Sequence, residues 1–228
     1  MDYLLINIGS IGIPLVYSFH PKLQFYKKWR SFSVAILLTL IPFVIWDILF
    51  TKLGVWGFSE QYLIGINLFN LPLEEVLFFV CIPYSCLFTY HCITLFLKPG
   101  KMDILNKILS PVLIILSAIL SILANDLYYT FYTFSSLLFV LIVLRFILKV
   151  KWLGTFLFTY LIILIPFFIV NGLLTGTGYD TPIVWYNNLE NLSTRIGTIP
   201  VEDIFYGLLL LLLNVTIYEF HRKRITVR

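Results

Sequence analysis

The sequence predicts an all-α integral membrane protein with seven transmembrane helices, arranged as two parallel three-helix repeats joined by a connecting helix. Three observations predict it: an apolar composition, apolar runs long enough to cross a bilayer, and basic residues confined to alternate connections. Hydrophobic residues make up 60% of the 228 residues and charged residues 12%, against roughly 25% charged in an ordinary soluble domain. The net charge of +4 is unevenly divided between the two ends of the helices, so it does not indicate nucleic-acid binding.

Seven apolar runs are assigned as spans. In chain order they lie at about 3–19, 31–50, 72–97, 109–124, 127–148, 152–174 and 200–220. A hydrocarbon core about 30 Å thick takes about 20 helical residues, and a lipid-exposed backbone is satisfied only in a helix or a closed barrel. The runs are too long for barrel strands. Met1-Asp2 precedes the first run without the basic segment of a cleavable signal peptide, so this run is expected to stay in the mature protein.

The basic residues orient these spans. Fourteen of the 16 lysines and arginines follow the first, third, fifth or seventh span, and only Lys52 and Arg195 lie elsewhere. Connections rich in lysine and arginine remain in the cytoplasm. The sequence therefore predicts a protein of the cell (inner) membrane with its N-terminus outside and its C-terminus in the cytoplasm. All the acidic residues except Asp103 and Glu219 then lie on the outer side.

Two pairs of segments read alike and predict an internal repeat. Segment 41–47, IPFVIWD, is matched 124 positions later by segment 165–171, IPFFIVN. Segment 72–75, PLEE, is matched 128 positions later by segment 200–203, PVED. Equivalent spans are four apart, so both copies cross the membrane in the same direction.

The repeat divides the chain into parts of one membrane domain over 1–228. Repeat one covers about 1–98, the connecting helix about 109–124, and repeat two about 125–221. The two acidic pairs then face each other across a pseudo-twofold axis near the outer surface.

The acids at the repeated helix starts, together with one acid in the second span, are the candidate catalytic residues. They are Glu74, Glu75, Glu202, Asp203 and Asp47. A proline followed by acids also begins ordinary helices, because proline lacks an N–H and carboxylates stabilise the positive end of the helix dipole. The recurrence of the motif inside apolar spans favours a function, since ionisable groups within a membrane are costly.

Helical spacing predicts which acid of each pair faces the cleft. Glu74 shares a helix face with Phe78, and Glu202 shares one with Tyr206. We therefore expect Glu74 and Glu202 to be the working acid and base, with the two neighbouring acids as orienting or helix-starting groups.

Aromatic residues and one amide are the candidate binding residues of the same outer region. They are Trp46, Trp56, Phe58, Phe78, Phe79, Tyr206 and Asn171. For any single one of these aromatic residues, an interfacial aromatic belt is the better explanation. The outer connections, about 51–71 and 175–199, are long, and long loops are usually lids or binding loops. We expect them to cap the acids.

With these motifs the sequence resembles the membrane-bound lycopene cyclases of the heterodimeric type, with both subunit equivalents joined in one chain. The resemblance is carried by segments 46–47 (WD), 56–58 (WGF), 72–79 (PLEEVLFF) and 200–203 (PVED). The second copy departs from the pattern, with Asp203 for glutamate, Asn171 for aspartate and Tyr206 for phenylalanine. These departures leave open whether both halves donate catalytic groups.

The resemblance implies cyclisation of the acyclic end groups of lycopene, or a related carotenoid, to ionone rings by carboxyl acid/base catalysis without net redox change. It implies the carotenoid and membrane lipid as partners, with other membrane enzymes of carotenoid synthesis as further candidates. No cofactor is expected, because the sequence has no G-x-G-x-x-G after a strand. The three histidines are scattered and the three cysteines share one apolar run, so we expect no metal site.

Other functions fit the sequence less well. A retinal-binding photoreceptor needs a lysine in its last span, and residues 201–220 contain none. A proton-coupled transporter could use the acidic pairs as relays, but acids gathered at one rim fit alternating access poorly. A non-enzymatic carotenoid or lipid carrier remains open, as do ring type, oligomeric state and whether one or both substrate ends react.

Overall fold

The structure, a computed structural model, describes residues 1–97 and 102–226, and the side chains of these ranges up to residue 223. The described part of the chain forms seven α-helices: α1 Asp2–Tyr17, α2 Trp29–Leu53, α3 Leu73–Phe96, α4 Asp103–Leu123, α5 Tyr128–Ile142, α6 Leu153–Leu174 and α7 Val201–Thr226. Short 3-10 turns lie at Phe25–Lys28 and Glu60–Tyr62, and a π-helical turn, Val143–Ile147, continues α5. The all-helical fold class is confirmed.

Six of the seven helices in the described residues are long and apolar enough to cross a membrane. The exception is α1, which has only 16 residues. Helix α2 extends two residues before and three residues after the predicted span 31–50. The larger difference is at α4, which begins at Asp103 instead of about 109. The first helix ends at Tyr17, where a turn follows.

Two helices form the centre of the bundle. Helix α3 packs against α1, α2, α6 and α7, and α7 packs against α5, α6, α2 and α3. Helix α4 lies outside this group, on α5 and α6. The main buried cluster draws on α2, α3, α5, α6 and α7. Lys98, Lys101 and Arg228, which contribute to the predicted orientation, lie outside the described residues. The seven-span crossing and the division into repeats stay predictions.

Each central helix begins directly after a two-stranded antiparallel hairpin. The first hairpin pairs β2, Asn67–Leu68, with β3, Leu71–Pro72. The second hairpin precedes α7 and ends at Pro200. Each proline ends its hairpin and therefore precedes the helix by one position. The predicted spans, which begin at 72 and 200, instead made the prolines the first helical residues.

The second hairpin and a third strand pair complete the loop structure. Strand β5, Arg195–Ile196, pairs with β6, Ile199–Pro200. Strand β1, Trp56–Phe58, pairs antiparallel with β4, Val184–Tyr186. The last pair joins the two long loops, 54–72 and 175–200, into one cover. We call the end of the bundle formed by these loops and the starts of α3 and α7 the acidic end.

Candidate active site

The first acid of each pair anchors a loop. The Ile64 N–H donates to Glu74 Oε1 at 2.6 Å, and the Leu192 N–H donates to Glu202 Oε1 at 2.8 Å. Both carboxyl groups are fully buried. The two donors are 128 positions apart, and so are the two acceptors. Glu74 and Glu202 therefore bind the loop segment before their hairpins in the same way. Thr130 Oγ1 also donates to Glu202 Oε1, at 2.7 Å.

The second acid of the second pair accepts three hydrogen bonds from side chains. Asp203 accepts from the Tyr129 hydroxyl at 2.6 Å, the Asn171 amide at 2.9 Å and the Tyr186 hydroxyl at 3.0 Å. Burial, followed by the neighbouring Asp203, raises the pKa of Tyr186 well above its usual range. Tyr186 therefore keeps its proton and remains a donor to the carboxyl group.

The second acid of the first pair has a different neighbour. Glu75 accepts a hydrogen bond from the Tyr3 hydroxyl, and its carboxyl group lies beside that of Asp47. The Trp56 indole N–H donates to Asp47 Oδ1, and Thr51 donates to the same oxygen at 3.5 Å. Two buried carboxyl groups are therefore adjacent at the start of α3, whereas at the start of α7 a carboxyl group lies beside an amide.

Three of these five acids line one cavity of about 810 Å³ that lies among α1, α3, α6 and α7. Asp47, Glu75 and Asp203 are among its lining residues, whereas Glu74 and Glu202 are not. The expectation that Glu74 and Glu202 face the cleft is therefore wrong. Spacing to aromatic neighbours did not decide the orientation, because the buried loop N–H groups draw the first acid of each pair away from the cavity.

The predicted binding residues divide into two groups. Trp56, Phe58, Phe78, Asn171 and Tyr206 line the cavity. The other two lie behind its wall and are not lining residues. Trp46 packs edge-on against Phe50 and Tyr206, and the buried Phe79 packs against Phe43 and Phe78.

The loops contribute to this site as well. Trp56 and Tyr186 are cross-strand partners in the β1–β4 pair, and each donates a hydrogen bond to one of the cavity acids. The Ser59 N–H also donates to the Ile183 carbonyl at 2.9 Å. The two long loops thus cover the acids, as expected from their length.

Three tyrosines that contact the acids were absent from the predicted site. Tyr3 and Tyr129 are 126 positions apart, near the start of the first helix of each predicted repeat, and Tyr186 lies in a loop strand. Extending the repeat to the first helices would have aligned Tyr3 with Tyr129. Sequence carries no comparable signal for Tyr186, whose position depends on strand pairing between distant loops.

The side chains of this site offer carboxyl oxygens, phenols and aromatic faces. Within the described ranges, His, Cys, Asp and Glu form no cluster of three or more that could hold a metal ion. The free cysteines Cys81, Cys86 and Cys92 all lie on α3. Chemically, the arrangement is suited to moving protons inside an apolar cavity.

Comparison with known proteins supplies the deciding observation. The family model described as lycopene cyclase matches residues 1–93 and 126–221. The chain belongs to the lycopene cyclase family. The matched ranges include all five acids and leave out the whole of α4, the helix outside the central group.

Several fungal proteins named bifunctional lycopene cyclase/phytoene synthase are similar to this lycopene cyclase family member. The protein of Aspergillus oryzae is 30% identical over 100 residues, which is 41% of this chain and 16% of the fungal protein. That of Pyrenophora tritici-repentis is 33% identical over 95 residues, 39% of this chain and 16% of the relative. The aligned region thus spans only about one sixth of these relatives. No solved structure matches the chain at a significant level.

Proposed function

We propose that this membrane protein converts the acyclic end groups of lycopene, or of a related carotenoid, to ionone rings without net redox change. The observation that carries the proposal is the placement of Asp47, Glu75 and Asp203 on the wall of one largely apolar cavity. An acid can protonate an alkene, and the resulting cation survives, only where water is excluded.

The adjacent carboxyl groups of Asp47 and Glu75 are the proposed acid. Two carboxyl groups that touch in a buried site cannot both ionise easily, so the pair retains a proton. That proton is given to the terminal double bond of the substrate. Trp56 and Tyr3 hold the pair in place by hydrogen bonds to one carboxyl group each.

Asp203 is the proposed base. Three donors, Tyr129, Tyr186 and Asn171, stabilise its ionised form, because hydrogen bonds to a carboxylate favour the charged state. After protonation, the neighbouring double bond attacks the tertiary cation and closes the ring. Asp203 then removes a proton from a ring carbon. One proton enters and one leaves, so the substrate is isomerised and needs no electron carrier.

Aromatic side chains support the cationic intermediate. Trp56, Phe78, Tyr129 and Tyr206 line the cavity with Glu75 and Asp203. Aromatic faces attract a cation by their quadrupole. These rings also help to keep water from the acids, because Trp56 is a buried part of the cavity wall and is paired with Tyr186 in the loop ladder.

The membrane placement forms part of the proposal. We infer seven spans in the cell membrane, with α1 as the shortest, the N-terminus and acidic end outside, and the C-terminus in the cytoplasm. The partition of basic residues supports this orientation. The proposed partners are the carotenoid and membrane lipid. Association with other membrane enzymes of carotenoid synthesis is a prediction that rests on the family resemblance alone.

Expression in a lycopene-accumulating bacterium tests the proposal. The wild-type chain should yield cyclic carotenoids, and in deuterated water the ring should gain solvent deuterium. Glu75→Gln, at the same membrane level, should leave lycopene unchanged. Unchanged lycopene with the wild-type chain, recovered bound to the purified protein, would instead identify a carotenoid carrier.

A further inference from the structure

The cavity wall is open to the surroundings along one seam. Five of its lining residues are exposed: Leu5, Gly9 and Ile13 on α1, and Pro166 and Ile169 on α6. Every other lining residue is buried or partly buried. All five exposed residues are apolar. The cavity therefore opens sideways between α1 and α6, through a surface suited to hydrocarbon and not to water.

The opening belongs to a long slot. Along α3 the lining residues run from Glu75 to Thr89, and along α6 they run from Tyr160 to Leu174. Each interval covers 14 helical steps, or about 21 Å at 1.5 Å per residue. Each interval lies within one unbroken helix, α3 or α6, so the slot follows the helix axes away from the acidic end. This shape fits an extended chain better than a compact ligand.

The slot is covered at its acidic end. Trp56 and Tyr186, which are partners in the β1–β4 pair, form part of the wall there. The Asn187 N–H donates to the Val55 carbonyl at 2.8 Å next to the pair, and the Met1 ammonium group donates to the Tyr62 carbonyl at 2.7 Å. These contacts join both loops and the start of α1 above the acids. A long apolar ligand is thus more easily admitted through the seam than through the cover.

We propose that the seam between α1 and α6 is the entrance through which the polyene chain of the substrate passes from the lipid, and that Gly9 keeps it open. The inference rests on the proposed function and adds the binding path to it. A Cβ built at Gly9 meets no atom within 4 Å, so this glycine is not required for close packing. Its missing side chain leaves space on the exposed edge of the slot.

The path also limits how the substrate binds. With one end group at Glu75 and Asp203, an extended chain occupies the slot and its opposite end lies at least about 20 Å away, since the slot has that length. Only one end can reach the acids in each binding event. A substrate that is cyclised at both ends must leave through the seam and return reversed.

Two matched pairs of variants test the entrance. Gly12 also lies on α1 and also has no atom within 4 Å of a built Cβ, but it does not line the cavity. Ile165 is 69% exposed on α6 and does not line the cavity, whereas Ile169 is 63% exposed and does. Gly9→Phe and Ile169→Trp should narrow the seam. Gly12→Phe and Ile165→Trp make the same chemical changes outside it.

Ring formation is measured in phosphatidylcholine vesicles at a series of lycopene contents. We expect Gly9→Phe and Ile169→Trp each to lower kcat/KM about 10-fold or more, the size of effect that steric misfit produces in an apolar pocket. Gly12→Phe and Ile165→Trp should stay near wild type. Equal activity within each pair, whether high or low, would overturn the entrance.

A binding measurement separates the entrance from the proposed reaction. The four substitutions are placed in the Glu75→Gln background, and lycopene that co-purifies with each protein is measured. Lycopene should be lost only with Gly9→Phe and Ile169→Trp. That binding result, together with no ring formation by the chain that retains Glu75, would refute the proposed reaction and keep the entrance. Equal retention by all four variants would overturn the entrance alone.

Discussion

The starts of α3 and α7 share their backbone contacts and differ in their chemistry. At both starts a hairpin precedes the helix, and the first helical N–H is bonded back to the residue before the hairpin. The Leu73 N–H donates to the Ile66 carbonyl at 2.8 Å, and the Val201 N–H donates to the Thr194 carbonyl at 3.0 Å. Beyond these shared contacts, Asp47 stands beside Glu75 at one start, and Asn171 donates to Asp203 at the other. The shared contacts position the site, and the differing neighbours distinguish the proposed acid from the proposed base.

The same comparison shows that the two helix starts contribute differently to the cavity. Phe79 is 2% exposed and packs on Phe43 behind the first start, while the position 128 residues later is Gly207, which lines the cavity. A Cβ at Gly207 would lie 3.3 Å from the Tyr160 hydroxyl. Phe79 therefore fills its side of the bundle with an aromatic ring, whereas at Gly207 the Tyr160 hydroxyl and the Phe167 ring approach the backbone closely.

The largest expected effect comes from removing the proton exchange at either start. Glu75→Gln and Asp203→Asn should each lower ring formation about 100-fold or more, as loss of a general acid or base does. Pigment analysis at matched membrane levels measures this. Glu74→Gln is the control, because its amide oxygen can still accept from Ile64, and it should cost far less. A larger loss with Glu74→Gln than with Glu75→Gln would reverse the assignment.

Exchanging the differing neighbours should have the next largest effect. Asp47→Asn places an amide beside Glu75 at the start of α3, like the amide beside Asp203. Asn171→Asp places a second carboxyl group beside Asp203 at the start of α7. We expect each change to lower ring formation about 10- to 100-fold, by analogy with groups that tune metal ligands. The first removes proton sharing, and the second favours protonation of Asp203. Wild-type rates in both variants would show that the asymmetry has no chemical role.

A smaller effect is expected from the hydroxyl groups around Asp203. Tyr129→Phe removes one of its three donors, and a hydrogen bond to a charged group contributes about 1.5–3 kcal/mol, so activity should fall about 10-fold or more. Tyr206→Phe is the matched change, since its buried hydroxyl has no hydrogen-bond partner in the described part of the chain. Its activity should stay within about twofold. Equal losses in the two variants would contradict the role assigned to Asp203.

The smallest expected effect concerns the hairpins. Phe69 has φ +58° and Gly197, at the equivalent position, has φ +64°. A residue with a Cβ in this conformation costs about 1–2 kcal/mol. Phe69→Gly should therefore stabilise the protein slightly, and Gly197→Ala should destabilise it by a similar amount, without altering the site. Thermal unfolding in detergent measures both changes, and shifts of the same sign would show that the hairpins are not equivalent.

Much of this fold could be predicted from apolar runs in the sequence. The candidate acids could be predicted because the acidic motif at the helix start occurs twice. Six helices match long apolar stretches, and each of Asp47, Glu75 and Asp203 was among the candidates. The orientation within each acidic pair did not follow, because it depends on the N–H groups of Ile64 and Leu192, which are ten residues away in a loop of irregular structure. Pairing of β1 with β4 joins segments too distant in sequence for local patterns to reveal.

The short first helix has a consequence for the bilayer around the protein. Helix α1 has 16 residues, about 24 Å at 1.5 Å per residue, whereas the hydrocarbon core is about 30 Å thick. In the proposed topology α1 crosses the membrane, and a span shorter than the core draws the lipid leaflets together around it. Because α1 is also one wall of the seam, the thinnest lipid should lie beside the entrance. Membrane thickness, set by acyl-chain length, should then tune substrate loading without any change in the protein.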